Sequence, residues 1–194
     1  MDESPTRRGD NRHRSMERLA ESADTATMAE VRAAVPEDAY DVARVQVRSW
    51  QWAYRGLIVQ PYLDSLEPQT WAGRYTFGRM GIGLPFTQVA VDASTICGLA
   101  TTGLSRDEDL SNFGELMAIY VDPAHVGTGV GRLLIAAARE RLRAVSTQAA
   151  LWVLDGNVRA RRFYERDGWS FDGTRRTRTY GNAPVQEVRY RRDV

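Results

Sequence analysis

The run Val121-Asp122-Pro123-Ala124-His125-Val126-Gly127-Thr128-Gly129-Val130-Gly131-Arg132 is the most informative segment of the chain. Leu116 to Val121 reads as a strand, stopped by Asp122-Pro123. Three alternating glycines follow, then an amphipathic helix from about Gly129 to Ala144. Glycine permits positive φ and lets another group approach the main chain closely. The first N–H groups of a helix have no internal partner. With the helix dipole they make a site for an anion such as a pyrophosphate. Arg132 can add a charge-assisted contact. A tight turn with no ligand is the plain alternative.

A second signal lies downstream in Leu151-Trp152-Val153-Leu154-Asp155-Gly156-Asn157-Val158-Arg159-Ala160-Arg161-Arg162-Phe163-Tyr164-Glu165-Arg166-Asp167-Gly168-Trp169. Ala149–Leu154 is predicted as a strand and Asn157–Asp167 as a helix closed by Gly168. Asn157 suits the N-cap. Ala160, Phe163 and Tyr164 share one helical face, so Tyr164 points inward, either as a core tyrosine or as a site residue.

Outward from these segments, Val31–Ala34 reads as a strand and Pro36 to about Ala53 as a helix, with Glu37 and Asp38 in its first turn. That helix has two apolar stripes, Val42-Val45-Ser49-Trp52 and Val47-Trp50-Tyr54, so it is deeply buried or lines a pocket. Short helices are predicted over Pro61–Leu66 and Pro68–Met80. Thr87–Asp92 and Ile96–Leu104 form a hairpin about Ala93-Ser94. Arg106–Asn112 reads as polar loop. The last strands are Trp169–Asp172 and Val185–Tyr190, with an arginine-rich turn region between them. Strands and helices mix without regular alternation, which implies a mixed sheet with helices on both faces. Residues 1–28 carry mixed charge and almost no large apolar side chain, so they are expected to be a disordered tail before a folded unit over 29–194.

Composition narrows the chemistry. The 194 residues are 43% apolar and 26% charged, with a formal net charge of +1, which points to neither nucleic acid nor an anionic membrane as partner. Even the longest apolar runs, such as Leu133–Ala138, are too short to span a bilayer, and the first residues lack a secretory pattern, so a cytoplasmic protein is expected. All 26 basic residues are arginine. The absence of lysine excludes a Walker A phosphate lysine and a Schiff-base lysine. With only His13, His125 and Cys97, no intrachain disulfide can form and no Cys/His metal centre is expected. What remains is chemistry by carboxylates, tyrosines and main-chain groups. A dinucleotide fingerprint, with Asp155 as the ribose acid, competes for the glycine turn, but too little chain follows it for such a domain.

The two segments, in this order, resemble the GCN5-related N-acetyltransferase (GNAT) superfamily. The resemblance covers nearly the whole folded part. It implies an α/β (α+β) fold whose mixed, mostly antiparallel sheet is splayed between the strands ending at Val121 and Leu154. Acetyl-CoA would lie in that opening, its pantetheine arm along Ile119, Tyr120 and Val121. Its pyrophosphate would rest on the amides of Val126, Gly127, Thr128, Gly129, Val130, Gly131 and Arg132. Asn157 would bond the pantetheine chain, and Tyr164 would sit near the sulfur, placed as the acid that protonates the leaving thiolate. Glu115 matches a catalytic glutamate of the family, with Glu108 and Asp109 in reserve. Trp50, Trp52 and Tyr54 would wall the pocket of an amine acceptor, which could be a small molecule, an amino acid or a protein N-terminus. The loop begins with Val126 where the family has Gln or Arg, so altered cofactor contact is expected. A non-catalytic acyl-CoA-binding module is the other reading. A homodimer is compatible with the sequence.

Overall fold

A computed structural model describes residues 29–78, 81 and 84–194. The expected tail over 1–28 and the end of the Pro68–Met80 helix lie outside the described residues. The strands are β1 (Glu30–Ala33), β2 (Phe86–Asp92), β3 (Thr95–Leu104), β4 (Gly114–Val121), β5 (Gln148–Leu154), β6 (Ser170–Tyr180) and β7 (Ala183–Asp193). The helices are α1 (Ala39–Ala53), α2 (Gln60–Asp64), α3 (Pro68–Ala72), α4 (Val130–Arg143) and α5 (Val158–Arg166). The strands form one sheet in the order β1-β2-β3-β4-β5-β7-β6, antiparallel throughout except for the β4–β5 pair.

That parallel pair creates the site. It holds at only two positions, Gly114↔Ala149 and Glu115↔Ala150. Beyond them β4 continues on β3 and β5 continues on β7, so the sheet opens into two halves. The β3–β4 register shifts where Thr101 faces Ala118 and Thr102 faces Leu116, leaving Met117 as an extra residue. A bulge bends its strand and sharpens the twist. This one lies two residues past the last β4–β5 pair, where the strands part.

Helices cover both faces, as the apolar stripes require. Val42 and Val45 of α1 pack on Val89, Ile96 and Leu99. On the other face Val130, Leu134 and Ile135 of α4 pack on Ala90, Cys97 and Ala100. Gly98 allows this close approach, because a Cβ there would stand 2.7 Å from Leu134. Cys97 is buried core, its Sγ donating to the Ala90 carbonyl, and burial raises its pKa. The second stripe of α1 packs through Val47 and Trp50 on Ile58, Leu63, Leu66 and Leu154.

Two elements depart from the sequence expectation. The helix at Pro68 stops at Ala72, capped by Gly73, and Tyr75 and Phe77 then stack together against the α1 core. The arginine-rich region is strand rather than turn: β6 and β7 form a long hairpin closed at Gly181 and Asn182, with φ of 56° and 63°. Two successive positive φ values are the geometry of a tight hairpin turn. Thr174, Thr177 and Thr179 favour strand, and the arginines find partners across it: Arg176 faces Glu187 in the register.

Candidate active site

The strand-to-helix corner has the geometry its glycines imply. Gly127 and Gly129 have φ of 92° and 99°. Asp122 anchors the turn, its Oδ1 accepting the Ala124 N–H at 3.0 Å, while Arg48 of α1 reaches its Oδ2 at 3.0 Å. Among the described residues, no main-chain carbonyl accepts the N–H groups of Gly127, Gly129, Val130 or Gly131. A Cβ at Gly127 would meet nothing within 4 Å, so the approach to these donors is open. Thr128 turns its hydroxyl back to the His125 carbonyl, and the Val130 side chain is buried in the core. Val130 can therefore offer only its main chain, while the Thr128 N–H also donates to the His125 carbonyl, at 3.4 Å.

A cavity of about 600 Å³ runs from this corner through the opening between β4 and β5. On the α4–α5 side it is lined by Val126, Gly127, Gly129, Gly131, Arg132, Asn157, Phe163 and Tyr164. Along β4 it follows Glu115 to Val121, and α1 with its C-cap supplies Trp50, Trp52 and Tyr54. The fold thus gathers the expected site residues around one space, except Thr128 and Val130, which do not line it. Trp52 stands at its rim, with the Arg159 guanidinium 5.0 Å from its ring centroid.

Asn157 caps α5, its Oδ1 accepting the Ala160 N–H at 3.1 Å. The cap uses only the oxygen, which leaves the amide nitrogen as a donor. Tyr164 is 8% exposed. Burial, reinforced by the neighbouring Tyr120, pushes its phenol well above the ordinary tyrosine value. The ring is thus a hydrogen-bond donor that keeps its proton, not a strengthened acid.

Glu115 is 4% exposed and held by Arg106. One carboxylate oxygen accepts both the Arg106 Nε, at 3.0 Å, and the Arg106 main-chain N–H, at 3.1 Å; Nη2 bonds the other oxygen. A carboxylate offers about four lone-pair sites, so little of Glu115 is unspent. The reserve Asp109 lies off the cavity, bound by both terminal nitrogens of Arg189 at 2.8 and 2.7 Å. That ion pair holds its carboxyl below the usual range.

The far end of the cavity is built by residues that sequence reasoning did not assign to it. Tyr180, Arg176 and Arg178 come from β6, Glu187 from β7 and Trp152 from β5. The Tyr180 hydroxyl donates to Glu187 Oε1 at 3.0 Å, and Arg176 Nε bonds the other oxygen at 2.6 Å. Arg176 lies 3.9 Å over Trp152. The Tyr120 side chain joins this end, packed edge-on to Trp50 at 6.3 Å. Burial raises the Tyr120 phenol, while Trp50 and Tyr54 beside its hydroxyl pull the other way. The Gly181-Asn182 pair and the Thr/Arg alternation before it were the readable cue to this hairpin.

The chain matches the acetyltransferase (GNAT) family over residues 45–169. It is 33% identical over 132 residues to the uncharacterized N-acetyltransferase YuaI of Bacillus subtilis (strain 168), covering 67% of this chain and 74% of that protein. It is 29% identical to a mycothiol acetyltransferase of Rhodococcus erythropolis over 69% of this chain, spanning only 44% of that protein. Its fold matches that of PaiA N-acetyltransferase from Thermoplasma acidophilum, solved in complex with coenzyme A, with a TM-score of 0.64 and 20% identity over 83% of this chain and 98% of the other. The chain therefore belongs to the GNAT family and is an acyltransferase. No helix among the described residues is long and apolar enough to cross a membrane.

Proposed function

We propose that this acyltransferase moves an acetyl group from acetyl-CoA to a primary amine by direct attack. The observation that carries the reading is the corner itself: unpartnered N–H groups at a helix N-terminus, opening onto a gap between two parallel strands. In this reading the donor's pyrophosphate rests on the main chain of Gly127 to Arg132. Val126 then weakens or alters the contact without abolishing it, since amides do the binding. The pantetheine arm runs along the unpaired edge of Ile119, Tyr120 and Val121, which would otherwise leave strand polar groups open. Asn157 donates to that arm. A cytoplasmic location, where acetyl-CoA is available, goes with this reading.

An alkyl ammonium, with a pKa of about 10.4 for a free lysine, must lose a proton before it can attack. Its nitrogen then bonds the thioester carbonyl carbon, and a β4 main-chain N–H near Ile119 stabilises the oxyanion. The carbon–sulfur bond breaks, the sulfur leaves with its electron pair, and the second proton of the nitrogen passes through water to the thiolate, which leaves as the free thiol. Glu115 accepts a proton through water at its remaining lone pair. Tyr164 donates a hydrogen bond to the departing sulfur. The leaving thiolate resembles a cysteine thiolate, pKa about 8.5, so a phenol raised by burial stabilises it without being consumed.

Thiol release from acetyl-CoA with an amine panel, beside calorimetric titration with CoA, tests this reading. Acetyl transfer requires both binding and amine-dependent release. CoA binding with no release on any amine would leave a binding module instead.

A further inference from the structure

We infer that the acceptor carries an anionic head, a carboxylate, beside its amine, and that Arg178 receives it. This rests on the acetyl-transfer reading and narrows it. The acceptor end holds two carboxylates, Glu115 and Glu187, and three arginines, Arg106, Arg176 and Arg178. Their depths differ. The Glu115 and Glu187 side chains are 5% and 8% exposed, each closed over by an arginine. The Arg106 and Arg178 side chains are 60% and 52% exposed. An entering molecule therefore meets guanidinium, not carboxylate.

The arginines also differ in what they have already spent. Arg106 commits Nε and Nη2 to Glu115. Arg176 commits Nε to Glu187 and lies over Trp152. The Arg178 Nε stands 3.8 Å from Glu187, beyond hydrogen-bond distance, so its fork is unspent on that carboxylate. A planar fork of N–H donors matches a carboxylate with two parallel bonds. Trp50 and Tyr180, 5.6 Å apart edge to face, give the body of the acceptor an apolar wall. A polyamine would place a second positive charge against these guanidinium groups, which like-charge contact disfavours.

The test uses the full chain and matched acceptors built on alanine, leucine and phenylalanine, each as the acid, the carboxamide and the decarboxylated amine, with spermidine and an aminoalkylphosphonate added. Thiol release gives kcat/KM for each, and CoA titration runs in parallel. The expected result is an acid favoured over its carboxamide by about 30-fold, the size of one charge-assisted pair. In Arg178→Gln that ratio falls to within about threefold of one, and Arg178→Lys recovers part of it. Unchanged CoA affinity and melting temperature show that both variants fold. Preference for the carboxamide, the decarboxylated amine or spermidine overturns the anionic head and leaves acetyl transfer standing. A stronger response to the phosphonate than to any acid overturns the carboxylate. A ratio that persists in Arg178→Gln overturns the assignment to Arg178. Bound CoA with no release on any member ends the acetyl-transfer reading and this inference with it.

Discussion

Arg106 and Glu115 close on one another at the vertex of the gap between β4 and β5, the guanidinium Nε and the main-chain N–H of Arg106 sharing a single Glu115 oxygen. The pair fastens the segment after β3 to the head of β4, at the last residue that still pairs with β5. A carboxylate at that point lines the cavity with few lone pairs to spare, so as the proposed base it takes a proton only through what Arg106 leaves open. Glu115→Gln is expected to lower kcat by 10²-fold or more, on the order of a lost general base, with CoA affinity nearly unchanged. Steady-state rates beside CoA titration check it. If Glu115→Gln is silent and Glu187→Gln carries the loss, the base sits on β7.

Gly129 starts α4 in the left-handed region. An aspartate there brings a carboxylate to the N–H groups proposed for the pyrophosphate. Gly129→Asp is expected to weaken CoA binding by about 100-fold, the scale of a like-charge contact of a few kcal/mol. Asparagine tolerates the same backbone and lacks the charge, so Gly129→Asn should keep most of the affinity. Calorimetry on both variants separates charge from strain, and equal losses would place the diphosphate elsewhere.

Tyr164 holds its proton across the working pH range, because burial raises its pKa. Tyr164→Phe is expected to lower kcat by about 3- to 10-fold, the worth of roughly one hydrogen bond, and to leave the shape of the pH–rate profile from pH 6 to 10 intact. An alkaline limb in the wild type that vanishes in the variant would make the phenol a titrating acid.

Asp38 and Arg32 bound the acid side of stability. Arg32 meets both Asp38 oxygens, at 2.6 and 2.9 Å, and the Val35 N–H adds a third bond. The ion pair lowers the Asp38 pKa in the folded state. A group depressed in this way stabilises fully above its unfolded pKa, about 3.9, and loses that contribution as pH falls through the folded value. With Arg32 half exposed, solvent screens the pair, so Asp38→Asn should cost about 1 kcal/mol near pH 7. Urea melts should show the difference full at pH 7 and shrinking below pH 4; a gap constant with pH would mean the pair is not its source.

Periodicity and turn chemistry carried much of the fold. The paired stripes of α1 placed it against both sheet and cavity because Val42 and Trp50 fall on faces about 3.6 residues per turn can separate. The Ala93-Ser94 hairpin and the Asn157 cap are local geometry and were legible as such. The β6–β7 hairpin was legible only at its Gly181-Asn182 turn, because arginine in a half-exposed strand looks polar in both registers. Only the placement of Trp152 and Glu187 shows why Arg176 belongs there.

The chain alone determined the corner at Gly127 and Gly129, since positive φ and unpaired helix N–H groups follow from a few neighbouring residues. It also determined that Tyr164 faces inward. Tertiary structure decided where β4 and β5 part, that Arg106 occupies Glu115, and that Arg178, Tyr180 and Glu187 complete the cavity wall. Those relations join segments far apart in sequence through the strand order β4-β5-β7-β6. Local pattern carries no record of them, because pairing between distant strands is set by the packing of the whole sheet.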